Sequence, residues 1–182
     1  MRSKIASALA AVGLIAAPLS VGTPAEGAAK DARFSVRTPY PAPELRGLGE
    51  WINSQPITLA SLKGRVVVVD FWTFECINCR RTLPSVKSWY ADYHDKGLEI
   101  IGVHTPELAA ERVPANVRTA VKREGIRYPV VLDPKFRTWN AYKNVYWPAW
   151  YVIDKQGRVR HVHEGEGDYA NTARVIEELL AE

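Results

Sequence analysis

The chain has 182 residues, is 47% hydrophobic and 24% charged, and carries a net charge of +4. That is the make-up of an ordinary globular protein, long enough for one domain with a core of its own and no need of disulfide staples. The modest positive excess is spread through the sequence, which speaks against nucleic acid as a partner.

The first thirty residues differ from the rest. Arg2 and Lys4 give a basic start, and Ile5 to Val21 is apolar or small until Pro18 disrupts the run. The small-residue stretch TPAEGAAK follows. This pattern predicts a secretory signal peptide over residues 1–29, cut after Ala25 or Ala29. The competing reading is an uncleaved membrane anchor, but the run is short for about 30 Å of hydrocarbon. Without a cysteine at its end, a lipid anchor is not expected. Outside the cytosol disulfides can persist, which bears on how the two cysteines are read.

The stretch from 31 to about 57 is rich in Pro, Gly and polar residues and reads as an N-terminal extension containing a loose hairpin. VVVVDFW (66–72) is a β-branched run expected to form a strand buried on both faces. Beyond the cysteines, Leu83, Val86, Tyr90 and Tyr93 recur at helical spacing up to a stop at Gly97. LEIIGVH (98–104) is a second buried strand, and Ala115 to Glu124 a helix led by Pro114. YPVVLD (128–133) is a short strand and Phe136 to Tyr142 a short helix. AWYVID (149–154) and RVRHVHE (158–164) make a hairpin, and a helix from Asp168 carries Val175, Ile176, Leu179 and Leu180 on one face. The order βαβ, inserted helix and strand, then ββα predicts a single α/β domain with a mixed sheet.

The only cysteines are Cys76 and Cys79, in DFWTFECINCRRTLP. The strand ends near Trp72 and the helix begins near Cys79, so Cys76 falls at a helix N-terminus. Unpaired backbone N–H groups there favour a thiolate, which is the nucleophile. Cys79, one turn in, can close a small ring with it and trade two electrons with another disulfide. A zinc site would need more ligands; His161-x-His163 lies on one strand face, but there is no second CxxC. A structural bridge closing a two-residue loop would constrain little of the unfolded chain. A redox couple is the favoured reading.

These residues carry a resemblance. DFWTFECINC, with Asp70 six residues before the first cysteine and Pro84 five after the second, is similar to the thioredoxin active-site strand and turn. The export signal, extension and inserted helix resemble extracytoplasmic thioredoxin-like proteins of the TlpA/ResA type. GVHTPE, YPVVLD, YWPAWYVID and GEGDY are similar to the redoxin domain at the C-terminus of DipZ-type proteins. The resemblance implies a thioredoxin fold over 51–182, a central mixed β-sheet flanked by helices, preceded by an extension over 30–50.

It further implies roles by position. Cys76 matches the attacking cysteine and Cys79 the resolving one. Asp70 matches the buried acid that exchanges a proton with the resolving thiol. Pro148 matches the cis-proline facing the cysteines, which leaves the backbone of Trp147 free to pair with an extended client; Trp147 is bulky and is expected to narrow the groove. Glu107, in HTPE, matches an active-site glutamate, with a solvated helix-start residue as the competing reading. Trp72 is placed with the client-contacting residues, with burial in the core as its competing reading. Glu75 and Asn78 depart from the usual Trp and Pro, so the redox poise is not carried over. No cofactor or stable metal is expected.

The function expected is an exported thiol–disulfide oxidoreductase working as a reductase on client protein disulfides, apocytochrome c among them, and recharged by a membrane electron-donor protein. Two other classes compete. Thr73-x-x-Cys76 resembles a peroxiredoxin element, though Val69 stands where its proline is expected. A copper-binding assembly module would need a wider cysteine spacing and a histidine.

Overall fold

The structure is a computed structural model that describes residues 34–182. The signal peptide expected over 1–29 lies outside these residues. Strands are β1 (Tyr40–Pro41), β2 (Trp51–Ile52), β3 (Val66–Trp72), β4 (Leu98–His104), β5 (Val130–Leu132), β6 (Ala149–Ile153) and β7 (Arg158–Glu164). Helices are α1 (Ile77–Tyr93), α2 (Pro114–Arg123), α3 (Arg137–Ala141) and α4 (Tyr169–Ala181).

The seven strands form one sheet in the order β1-β7-β6-β3-β4-β5-β2. β3, β4 and β5 run parallel, and β6 returns antiparallel beside β3. β3 is therefore central and, as its apolar run requires, buried along its whole length. Its register sets the site: Asp70 lies opposite Gly102 on β4 and opposite Trp150 on β6.

Alternation along β3 divides the core in two. Val66, Val68 and Trp72 pack with Leu83, Val86 and Trp89 of α1, with Val117 and Val121 of α2, and with Val175, Ile176 and Leu179 of α4. Val67, Val69 and Phe71 face the other way, toward Trp139 and Tyr142. Phe71 meets Trp139, Tyr142 and Tyr151 edge-on at 5.4–5.6 Å. Each such large side chain taken from water is worth about 1.5–3 kcal/mol.

Most of the expected elements are present, with α1 reaching through Pro84 and ending before a short 3-10 turn (His94–Lys96) closed by Gly97 at φ 108°. Trp89, meeting Trp150 edge-on at 5.0 Å, sits on the α1 stripe where the spacing pointed to Tyr90. The extension departs from expectation. It forms no hairpin: β1 pairs with β7 and β2 with β5, at opposite edges of the sheet. Phe34 and Leu45 are buried, so residues 34–50 complete the domain rather than precede it. Two-residue edge strands lack the length to show a periodicity of their own.

Candidate active site

β3 ends at Trp72 and α1 begins at Ile77, so the intervening turn delivers Cys76 to the N-cap of α1. Its sulfur accepts a hydrogen bond from the backbone N–H of Cys79 at 3.2 Å. Cys76 is half-buried and Cys79 buried, both as free thiols. The hydrogen bond from the Cys79 thiol draws the Cys76 thiol down from 9.0 to about 7. Partial burial opposes the shift, the backbone N–H groups of Cys79 and Asn78 add to it, and the charge of Glu107 works against it. Burial, and then the bond to Cys76, drive Cys79 the other way, far above the usual thiol range. One sulfur is thus poised as a nucleophile near neutral pH, and its neighbour holds its proton until something removes it.

The carboxyl whose charge acts on Cys79 is that of Asp70. It is 1% exposed, and burial raises its carboxyl from 3.8 to about 7. The Trp150 indole and the Tyr128 hydroxyl oppose that rise, the Tyr128 oxygen lying 3.5 Å from Oδ2, at the limit of a hydrogen bond. The Trp150 N–H faces the carboxylate without completing a bond, and Oδ1 has no partner among the described residues. The charge of Asp70 adds to the rise of Cys79, and that of Cys76 to the rise of Asp70. An acid with a pKa near 7 next to a reluctant thiol can act as a general base at neutral pH.

The Trp147–Pro148 peptide bond is cis, as the resemblance implies. Trp147 lies just before β6, half-buried. Its indole packs on Trp139, with ring centres 4.1 Å apart, and donates to the Thr105 carbonyl at 3.1 Å. The ring is therefore held against the protein and does not stand free in the groove.

Two expectations change. Trp72 is 1% exposed, with its ring edge-on to His104 at 5.3 Å, and cannot touch a client. Even-numbered residues of β3 point under α1, and the indole fills that space. Glu107 is exposed; its field reaches Cys76, but with the sign that disfavours the thiolate.

The acid that reasoning from sequence missed is Glu111, 1% exposed in the turn Ala109–Arg112. Its Oε1 accepts the Glu75 backbone N–H at 2.9 Å, and its Oε2 accepts those of Glu107 and Leu108 at 2.7 Å each. Tyr128 and Trp150 were also missed as partners of Asp70. Glu111, in ELAAERV, has no periodicity around it to mark it as buried. Of the two histidines considered for zinc, His161 lies 3.5 Å from Asp168, and His163 stacks on Trp150 at 5.2 Å.

Residues 38–162 match the AhpC/TSA family. The chain belongs to that family. Within it, the chain is similar to the protein DipZ of Mycobacterium bovis, with 51% identity over 142 residues that cover 76% of this chain and 20% of DipZ. The chain thus spans about a fifth of that relative's length. It is 30% identical to the thiol-disulfide oxidoreductase ResA of Halalkalibacterium halodurans over 133 residues, covering 72% of this chain and 69% of ResA. A crystal structure of a thioredoxin-like superfamily protein superposes with a TM-score of 0.73 and 28% identity, over 78% of this chain and 97% of that one. The chain has the thioredoxin-like fold and carries an oxidoreductase domain of the AhpC/TSA family, the TlpA/ResA type that its motifs resemble.

Proposed function

We propose that this protein is an exported thiol–disulfide oxidoreductase that reduces disulfides in client proteins. The observation that carries the reading is the pairing of Cys76, at the N-cap of α1 and accepting the Cys79 N–H, with a buried Cys79 beside a buried Asp70. In the first step the Cys76 thiolate attacks a client disulfide. A mixed disulfide forms, the client S–S bond breaks, and the released client sulfur takes a proton from water. In the second, Cys79 gives its proton to Asp70 and attacks the Cys76 sulfur. The Cys76–Cys79 bond forms and the second client sulfur leaves as a thiolate, which takes a proton from water while Asp70 returns its proton to solvent. The client gains two electrons and two protons; the enzyme is left oxidised.

Pro148, which follows a cis bond, matches the proline that faces the cysteines in the family it resembles, and the backbone of Trp147 would align an extended client segment beside β6. Glu107, exposed and unfavourable to the thiolate, would favour proton retention by Cys76 between turnovers. Recharging requires a dithiol donor, and a membrane electron-donor protein is the reading consistent with export. The basic, apolar and small-residue pattern of the first 29 residues supports export. Apocytochrome c cysteines are the client class that the resemblance suggests.

Thr73 weighs against the peroxidase reading. Its hydroxyl lies 3.2 Å from His104 Nε2, so it is engaged behind the turn. The test is a Cys79→Ala variant recovered from exported material and resolved without reductant. Mixed disulfides between Cys76 and client proteins are expected. Peroxide consumption dependent on Cys76, with no protein adducts, would remove the reading in favour of a peroxidase.

A further inference from the structure

Hydrogen bonds link three segments in series: the cysteine turn, the segment after β4 and the wall that carries the cis-proline. The cysteine turn contributes the Glu75 N–H, and the segment after β4 contributes those of Glu107 and Leu108; all three end on the Glu111 carboxylate. The proline wall joins through the Trp147 indole on Thr105 O, and the Thr105 N–H returns to Trp72 O. Behind the turn, the Thr73 hydroxyl lies 3.2 Å from His104 Nε2, and it helps to hold the Glu111 carboxyl down. A hydroxyl has one proton, and a carboxylate can only accept it. With its proton turned toward Glu111, the Thr73 hydroxyl would accept from His104, and the imidazole proton would then sit on Nε2. Thr73 also presents its backbone N–H to the Cys79 sulfur.

We propose that Glu111, with Thr73 and His104, is a positioning set that fixes the cysteine turn so that the Cys76 sulfur meets the N–H groups opening α1. The inference rests on the exchange reading above and adds residues that touch neither client nor sulfur through their side chains. The carboxylate suits this task because it accepts from both sides at once. An amide in its place would turn an NH2 group toward at least one of the N–H donors. Burial pushes the Glu111 carboxyl up, but bonds from Thr73, Leu108, Glu75 and Glu107 outweigh it and hold the carboxyl below its usual range. It is therefore charged at every pH where the thiol chemistry runs. Burial holds His104 at about 4, so it stays neutral there. The titratable groups that bear on Cys76 are Cys79, Asp70 and Glu107.

The sign of one measurement separates positioning from simple charge. Removing a negative charge near a thiol makes it more acidic; losing its alignment with the helix N–H groups makes it less acidic. The experiment follows the pH dependence of Cys76 alkylation by iodoacetamide in the full chain, with folding checked by thermal melting. Thr73→Val keeps shape and charge but loses the hydroxyl, Glu111→Gln keeps size, and Thr73→Ser restores the hydroxyl. We expect Thr73→Val and Glu111→Gln to move the profile to higher pH, slowing alkylation below the midpoint about tenfold for each pH unit moved. Thr73→Ser should stay within about twofold of the parent.

An unmoved profile in Thr73→Val overturns the proposal, and so does a Thr73→Ser shift equal to that of Thr73→Val. A move to lower pH in Glu111→Gln also overturns it, since that is the mark of charge alone. If Glu111→Gln does not fold, Thr73→Val against Thr73→Ser decides. A parent whose Cys76 shows no enhanced reactivity below pH 8 removes the exchange reading and this inference together. A reactive parent with unmoved variants removes this inference alone.

Discussion

Asp70 on β3 and Trp150 on β6 stand directly opposite each other in the sheet, with the indole facing a carboxyl that is 1% exposed. This pair gives the acid its character: the strand places it in the core, and the aromatic wall beside it keeps water away. Its pKa of about 7 follows from burial first.

Stability should therefore depend on pH through Asp70. Its carboxyl is at about 7 in the folded chain and near 3.8 when unfolded, so folding retains a proton that unfolding releases. The folded state accordingly loses stability as pH rises from about 4 toward 7 and recovers none above. Asp70→Asn removes this penalty. Urea unfolding is expected to show the variant more stable than the parent by roughly 2–4 kcal/mol at pH 8, with the gain gone by about pH 4. A constant difference across that range would mean that the carboxyl ionises normally.

The same substitution should split the two chemical steps. First attack by Cys76 on a model disulfide should be nearly unchanged in Asp70→Asn, whereas resolution by Cys79 should slow by about 10²-fold or more. In the parent, resolution should accelerate as pH rises through 7 and then level off; in the variant that rise should vanish. Stopped-flow measurement of mixed-disulfide formation and decay separates the steps, and equal slowing of both would count against the proton role.

The two cysteines should differ sharply in accessibility and acidity. Limited iodoacetamide at pH 7 is expected to modify Cys76 and spare Cys79, with half-maximal Cys76 reactivity at about pH 7. Peptide mapping reads the site; modification of Cys79 first would reverse the assignment of attacking and resolving sulfurs.

Gly102 marks a close approach beneath Asp70. A Cβ there would come within 3.0 Å of both Trp72 Nε1 and Tyr128 Cε2, and 3.3 Å of Val130 Cγ2. Gly102→Ala should cost about 1–3 kcal/mol by overpacking. Because Tyr128 also contacts Asp70, resolution should slow as well. Chemical denaturation and the two-step kinetics check both effects.

Trp147→Phe tests the tie between the proline wall and the segment after β4. The ring stacking on Trp139 can persist, but the bond to Thr105 O is lost. A stability loss of about 0.5–1.5 kcal/mol is expected, with KM for a protein client rising more than kcat falls. A change in kcat alone would argue against a role in aligning the client.

Local patterns were sufficient for much of this molecule. A run such as VVVVDFW can satisfy its apolar side chains only in the middle of a sheet, and CINC ahead of a helical stripe puts a sulfur at a helix start whatever surrounds it. A carboxyl inside that run, Asp70, has to be buried, and burial sets the direction of its shift. Tertiary contact alone placed β1 and β2 on opposite edges, turned Trp72 inward, and carried Glu111 into the interior to collect N–H groups from two loops. Those outcomes turn on partners that lie far along the chain: Glu75 and Glu111 are 36 residues apart, and Asp70 and Tyr128 are 58 apart. Spacing and propensity report a residue's own neighbourhood, whereas the energy of a buried charge depends on whichever donors the completed fold brings to it.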